Sequence, residues 1–219
     1  MAARDLALVD RLERLYTAVV SDCLDGLGIR ANVMAPHIGP LFPGAKAAGF
    51  AATVRCVDVD AVPESKDDWH RGLLEAVDGL TPGDVMVVSP SSAAFWGELL
   101  ATAARYRGAR GVVADAYARD TAALIEMGFP TFVAGVNCQD ALGRIEVEAR
   151  GIEIQCGGVT VRPGDLVLAD HDGVVVIPSE AAAEAISLAE EKMAGEDLVR
   201  QKLAEGMSLA EAFRTYGVL

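Results

Sequence analysis

Apolar positions near the start of the chain fall at Leu6, Val9, Leu12, Leu15, Tyr16 and Val19, and the run ends in Gly26-Leu27-Gly28. That spacing predicts a helix, a short break and a second helix over residues 4–28. The next stretch, NVMAPHIGPLFPGAKAAG, is dense in Gly and Pro and predicts a looping connection. FAATVRCVDVD then alternates like a strand, and DDWHRGLLEAVDGL has helical spacing.

From there the pattern becomes regular. DVMVVS, GVVAD and PTFVAG are short apolar runs of strand length, separated by the helical segments ELLATAARYRG and TAALIEMG, which close on Gly108 and Gly128. Such alternation predicts parallel β-α-β crossovers. Residues 143–178 are continuous short-strand material with turn signals, which predicts a β-rich layer packed beside the α/β part. The tail from Ser179 is helical, with Ser179 in the place of an N-cap. TPGDVMVVS and RPGDLVLAD echo each other, and the shared Pro-Gly predicts two similar turns at strand entries, with no functional weight.

Composition narrows the partners. A chain of 219 residues with 52% hydrophobic residues can bury a large core without staples. A formal net charge of −13 leaves little for the basic patch that nucleic acid or an anionic membrane needs. Four scattered cysteines form no CxxC pair, so structural reduced thiols are expected. MAARDLALVDRLERLY reads as an amphipathic helix and not a signal peptide, and no apolar run approaches the roughly 20 residues of a membrane span, so a cytoplasmic protein is expected.

Several sites fail on context. GLGIRA, residues 26–31, fits a loose dinucleotide pattern but follows a helix, whereas that fingerprint needs strand, turn, helix. The chain has no GxSxG or GxxxxGK[ST] segment, and His37, His70 and His171 lack metal-ligand spacing. Better placed are the loops after VVS and VVAD, because ligands of open α/β sheets bind beyond the carboxyl ends of the strands. In the first, Gly97 allows close backbone approach, and a helix beginning near Glu98 turns the N–H groups of Glu98, Leu99 and Leu100 outward, a seat for a carboxylate. In the second, Arg119 offers a planar fork for an oxyanion and Asp120 a hard oxygen donor suited to Mg²⁺. Equally, Asp120 stands where an N-cap belongs, and Glu98 complements a helix dipole.

The segments VVSDCLDGLG, GELLATAARYRGARGVVADAYARD, CGGVTVRPGDLVLADHDGVVVIP and EEKMAGEDLVRQKLAEGMSLAEAF together resemble the RraA-like family. That family contains a regulator of ribonuclease activity and the class II pyruvate aldolases that act on 4-hydroxy-4-methyl-2-oxoglutarate and 4-carboxy-4-hydroxy-2-oxoadipate. The resemblance implies one RraA-like α/β domain over residues 1–219, of the swivelling β/β/α type. It would comprise N-terminal helices (1–30), a core (45–178) and C-terminal helices (179–219).

Glu98, twenty intervening residues and Arg119-Asp120 match the spacing of the aldolase branch. By that resemblance Asp120 binds Mg²⁺ or Mn²⁺ directly, Glu98 reaches it through water, and Arg119 meets the keto oxygen of pyruvate. Gly97 and the amides of Glu98, Leu99 and Leu100 would line the substrate seat, with the amides of Leu99 and Leu100 holding its carboxylate. Glu196 resembles a glutamate that a neighbouring subunit contributes in a homotrimer or homohexamer with interfacial sites, although it also suits a solvated helix face. The implied activity is retro-aldol cleavage of a small oxo acid with an oxaloacetate decarboxylase side reaction. The alternative is a non-catalytic regulator that binds a ribonuclease; a methyltransferase is disfavoured because no glycine-rich loop follows a first strand. Two departures stand out: Asp115-Ala116 where relatives carry Asp-Gly, and Glu98 where many carry Asp.

Overall fold

The structure, a computed structural model, describes residues 4–217; the outermost residues of the expected terminal helices, 1–3 and 218–219, lie outside it. Two helices open the chain, α1 (Leu6–Leu12) and α2 (Thr17–Gly26), as the apolar spacing requires. Asp5 caps α1 by accepting from the Ala7 N–H at 3.0 Å. The connection that follows holds only the two-residue strand β1 (Gly39–Pro40) before the long strand β2 (Ala47–Asp58).

Helix α3 (Arg71–Asp78), strands β3 (Asp84–Val88) and β4 (Ala94–Trp96), helix α4 (Glu98–Tyr106), strand β5 (Gly111–Ala118), helix α5 (Thr121–Met127) and strand β6 (Thr131–Val136) come next. Strands β7 (Ile145–Arg150), β8 (Ile154–Cys156), β9 (Val159–Val161), β10 (Leu166–Asp170) and β11 (Gly173–Ile177) follow, and helices α6 (Ala182–Ala204) and α7 (Leu209–Tyr216) end the chain. No helix among the described residues is long and apolar enough to cross a membrane.

The main sheet has nine strands in the order β1-β6-β5-β3-β2-β10-β11, with β4 added to β5 and β7 to β2. β2, β3, β5 and β6 run parallel, joined by the expected helical crossovers. β3 is buried along its whole length: Met86 and Val88 face the cluster under α3 and α4, while Val85 and Val87 face the β8–β9 hairpin. A strand covered on both faces reads as a continuous apolar run, which is why DVMVV carries no alternation. A third cluster joins α1, α2 and α6 to β10 and β11 through Leu12, Val20, Leu166, Leu168 and Ile186. The sheet nearly closes, because Val33 bridges Val175 of β11 while β1, a few residues on, pairs with β6 at the opposite edge.

Three local expectations change. The β-rich part is not a separate layer: β2 is long enough to pair β10 over Ala47–Phe50 and β7 over Val54–Asp58 on one edge, so those strands extend the same sheet. Only β8 and β9 form a sheet of their own. The helix expected from Asp67 begins at Arg71, because His70 adopts a left-handed conformation (φ 55°) that no helix continues through. Ser179 is not the cap of α6. A turn from Ala181 N–H to the Pro178 carbonyl (2.9 Å) intervenes, the helix starts at Ala182, and the Ser179 N–H donates to Asp165 Oδ1 at 3.1 Å.

The two Pro-Gly-Asp segments are near copies, as the sequence echo predicts. Gly83 and Gly164 take φ of 87° and 88°, the left-handed position of a type II turn. In each, the Asp carboxylate accepts from a backbone N–H three residues back, Thr81 to Asp84 at 2.7 Å and Arg162 to Asp165 at 2.8 Å. Both turns dock on β2, where the Phe50 N–H donates to the Gly83 carbonyl and the Ala51 N–H to the Asp165 carbonyl.

Candidate active site

β5 runs three residues beyond the expected GVVAD, so Asp115 and Tyr117 lie on the strand and Arg119 is the first residue past its carboxyl end. The segment PSSAAFWG, expected as loop, contains β4, which lies parallel to β5 with Trp96 opposite Ala118. This added strand fixes the site. The Arg119 N–H donates to the Trp96 carbonyl at 2.8 Å, so Gly97 and the Arg119-Asp120 pair are held side by side.

Asp120 occupies the N-cap position of α5 but in the left-handed region (φ 54°, ψ 33°), and its side chain makes no bond to its own helix. An ordinary N-cap is extended and turns its oxygen back onto the second or third helical N–H. Here the Asp120 carboxylate turns towards α4, its Oδ2 lying 3.4 Å from the Glu98 N–H. Gly97 is extended (φ −153°), so its conformation does not call for glycine; a Cβ there would meet Asp120 Oδ2 at 2.8 Å and push the carboxylate from this position.

Gly97 gives α4 no side-chain cap and Asp120 reaches only the Glu98 N–H, so the first-turn amides of Leu99 and Leu100 are left at an open helix end. The Glu98 carboxylate instead accepts from Thr102 Oγ1 at 2.8 Å, lying along its own helix beside Asp120. Arg119 is braced from the far side. Its Nη1 stands 3.0 Å from Asp140 Oδ1, while its Nε is 3.8 Å from Asp120 Oδ2. Asp140, in the loop after β6, also faces His70 Nε2 at 3.8 Å. Arg119, Asp120, Asp140 and His70 line a cavity of about 240 Å³ together with Gly97, Leu99 and Leu100, whereas Glu98 is not in its lining and shares an adjoining open face with Leu99 and Asp120. Neither Asp140 nor the role of His70 at this cavity was evident in the sequence, although Asp140 sits at the carboxyl end of a third parallel strand, where the same rule would have pointed.

The Aldolase/RraA profile of the RraA-like family matches residues 17–176. The chain belongs to the RraA-like family.

Its relatives span the functions attached to that family. A Halalkalibacterium halodurans protein carrying the name "Putative 4-hydroxy-4-methyl-2-oxoglutarate aldolase" is 28% identical, over 97% of this chain and 96% of its own. An uncharacterised protein from Pseudomonas syringae pv. tomato superposes with a TM-score of 0.86 at 31% identity, covering 97% of this chain and 95% of that one. Streptomyces coelicolor RraAS2, described as an unusual member of the RNase ES inhibitor RraA protein family, superposes with a TM-score of 0.78 at 29% identity, covering 91% and 98%. The RraA-like α/β sandwich expected from the sequence is therefore the observed fold.

Glu196 is not brought to this cavity within the chain. It lies on α6, receives the Tyr16 hydroxyl, and lines a separate groove with Val19, Asp22, Val199 and Leu203. Burial and the neighbouring Glu196 carboxylate push the Tyr16 phenol up to about 12. Asp115 is held away from the cavity by His37 Nε2 (2.8 Å) and the Gly157 N–H (3.0 Å), and Ala116 is fully buried. His171 is exposed in the turn between β10 and β11.

Proposed function

We propose that this RraA-like chain is a divalent-metal-dependent lyase. It cleaves the C3–C4 bond of a 4-hydroxy-2-oxo acid, the class that includes 4-hydroxy-4-methyl-2-oxoglutarate and 4-carboxy-4-hydroxy-2-oxoadipate, and releases pyruvate. The observation that carries this reading is that a guanidinium, a half-exposed carboxylate and an uncapped helix N-terminus face one cavity. The aldolase name of the Halalkalibacterium relative supports it.

The donor set suits Mg²⁺ or Mn²⁺. Among the described residues no group of three or more His, Cys, Asp or Glu could enclose a metal. Mg²⁺ needs none, since it usually keeps several waters and binds through one or two carboxylates. Asp120 would hold the ion directly and Glu98 through water; a bound cation supplies Lewis-acid polarisation of the keto group.

The chain's own groups do the rest. The Leu99 and Leu100 amides seat the pyruvyl carboxylate at the positive end of α4. A water at the site takes the proton of the 4-hydroxyl, the C3–C4 bond breaks, its electron pair moves into the enolate of pyruvate, and the rest leaves as a carbonyl compound. Arg119 lies where the enolate oxygen gathers charge. Glu98, with Glu196 from a neighbouring copy in a trimer or paired trimers, positions the water that returns a proton to C3. Oxaloacetate decarboxylation passes through the same enolate and is the expected second activity.

A panel of 4-hydroxy-2-oxo acids plus oxaloacetate, coupled to lactate dehydrogenase with and without EDTA, tests the reading. Metal-dependent pyruvate release is expected, and its absence from every substrate overturns it. The likeness to RraAS2 favours a second reading, a non-catalytic regulator that binds a ribonuclease. Tight ribonuclease binding with no pyruvate from any oxo acid is its signature.

A further inference from the structure

The inner cavity is not the only space at this end of the sheet. A second, larger cavity of about 410 Å³ lies beside it, and His70 and Leu73 line both. His70 is held between them by its left-handed backbone at the start of α3 and by Asp140. The outer chamber is built from the N-terminal turns of α3, the edge strand β7 and the loop before β7. Its floor is rigid, since Gly72 packs so closely on β7 that a Cβ would stand 2.9 Å from the Val147 carbonyl.

The charges lining this chamber are unbalanced. Asp68, Glu75 and Glu146 face it, against Arg71 and His70. Arg71 is already engaged, 3.0 Å from Asp68 and 3.8 Å from Glu75, and Glu75 takes a further contact from Arg150 at 2.9 Å. Glu146 is exposed and has no ion-pair partner among the described residues. Among the described residues of one chain, a second carboxylate entering here would meet an unpaired like charge and no free cation.

We propose that the chamber beyond His70 receives the part of the substrate that lies past C4, and that it takes an uncharged aliphatic or hydroxylated end in preference to a carboxylate. The inference rests on the inner cavity being the pyruvyl seat, and it deepens that reading by naming the substrate class. It sets this chain's preferred aldol substrate apart from multiply carboxylated oxo acids.

The test separates the two levels. Hydrogen–deuterium exchange at C3 of pyruvate, followed by NMR with the full chain and Mg²⁺, uses the inner cavity alone. Pyruvate release is then compared for 4-hydroxy-2-oxohexanoate and 4-hydroxy-2-oxohexanedioate, which have the same carbon count and differ in the charge of the far end. The expected results are C3 exchange and a kcat/KM at least about tenfold higher for the uncharged substrate, the size of one like-charge contact near a protein surface. Glu146→Lys should narrow that ratio, and Glu146→Gln should narrow it less. Exchange with equal or better use of the hexanedioate overturns the chamber assignment and leaves the pyruvyl seat standing. A ratio that Glu146→Lys does not move also overturns it. Absence of exchange overturns both levels.

Discussion

Asp140 Oδ1 stands 3.0 Å from Arg119 Nη1, which makes a loop aspartate the brace of the guanidinium that faces the cavity. Both side chains are partly exposed, at 40% and 39%, so the pair contributes little to stability. Its effect is on orientation, and an ångström of misplacement at a reacting group costs on the order of a hundredfold in rate. Asp140→Ala is therefore expected to lower kcat/KM for pyruvate release by about ten- to a hundredfold with nearly unchanged thermal unfolding, and Asp140→Glu to recover part of the loss. A large fall in melting temperature would make Asp140 a structural residue instead.

Asp120 separates stability from function more sharply. It holds a left-handed conformation, costly for a residue with a Cβ, and gives its own helix no side-chain cap in return. Asp120→Gly removes the carboxylate and the strain together. The expected outcome is abolished metal-dependent pyruvate release with a melting temperature unchanged or raised, the strain being on the order of 1 kcal/mol. Destabilisation in a thermal melt would show that the carboxylate serves as a cap.

The sequence displayed the elements whose patterns arise within one segment. The crossover helices closing on Gly108 and Gly128 and the buried runs of β3 and β6 depend on local spacing. The convergence of the loops carrying Gly97-Glu98 and Arg119-Asp120 was legible too, since they follow the parallel strands β3 and β5, but what fixes Gly97 beside Arg119 is β4. Hidden features depend on distant partners. β4 is three residues long and is a strand only because β5 extends to Ala118 to pair with it. His70 reads as part of a helix until its φ is known, and Asp140 acquires a role only when the loop after β6 folds beneath Arg119. The joining of β7 and β10 to β2 likewise follows from the length of β2, not from their own alternation.

Burial pushes the thiols of Cys56 and Cys156 up to about 12. An unfolded thiol titrates near about 8.5. Between about pH 9 and pH 12 the folded chain therefore keeps protons that the unfolded chain has lost, and stability falls as pH rises, by about 1.4 kcal/mol per pH unit for each thiol. Below about pH 8 both states are protonated and the thiols contribute no pH dependence. Urea midpoints at pH 8, 9 and 10 should decline more steeply for the wild-type chain than for the Cys56→Ala/Cys156→Ala double variant. Equal slopes would place these thiols in contact with water. Cys138, exposed after β6, should be the one thiol that reacts readily in the folded chain.

Glu196 supplies the test of assembly. Within its own chain it faces Tyr16 across the α2–α6 groove and does not line the cavity that holds Arg119 and Asp120. If it contributes to catalysis, a second copy must deliver it, and each complete site then draws Asp120 from one chain and Glu196 from another. Asp120→Gly and Glu196→Ala chains would each be impaired alone. Unfolded together in equal amounts and refolded, they should regain about a quarter of wild-type pyruvate release, because in a ring with one direction of donation that share of sites receives both intact residues. A mixture no more active than its two components would confine Glu196 to its contact with Tyr16 and leave the cavity residues of a single chain to carry the reaction.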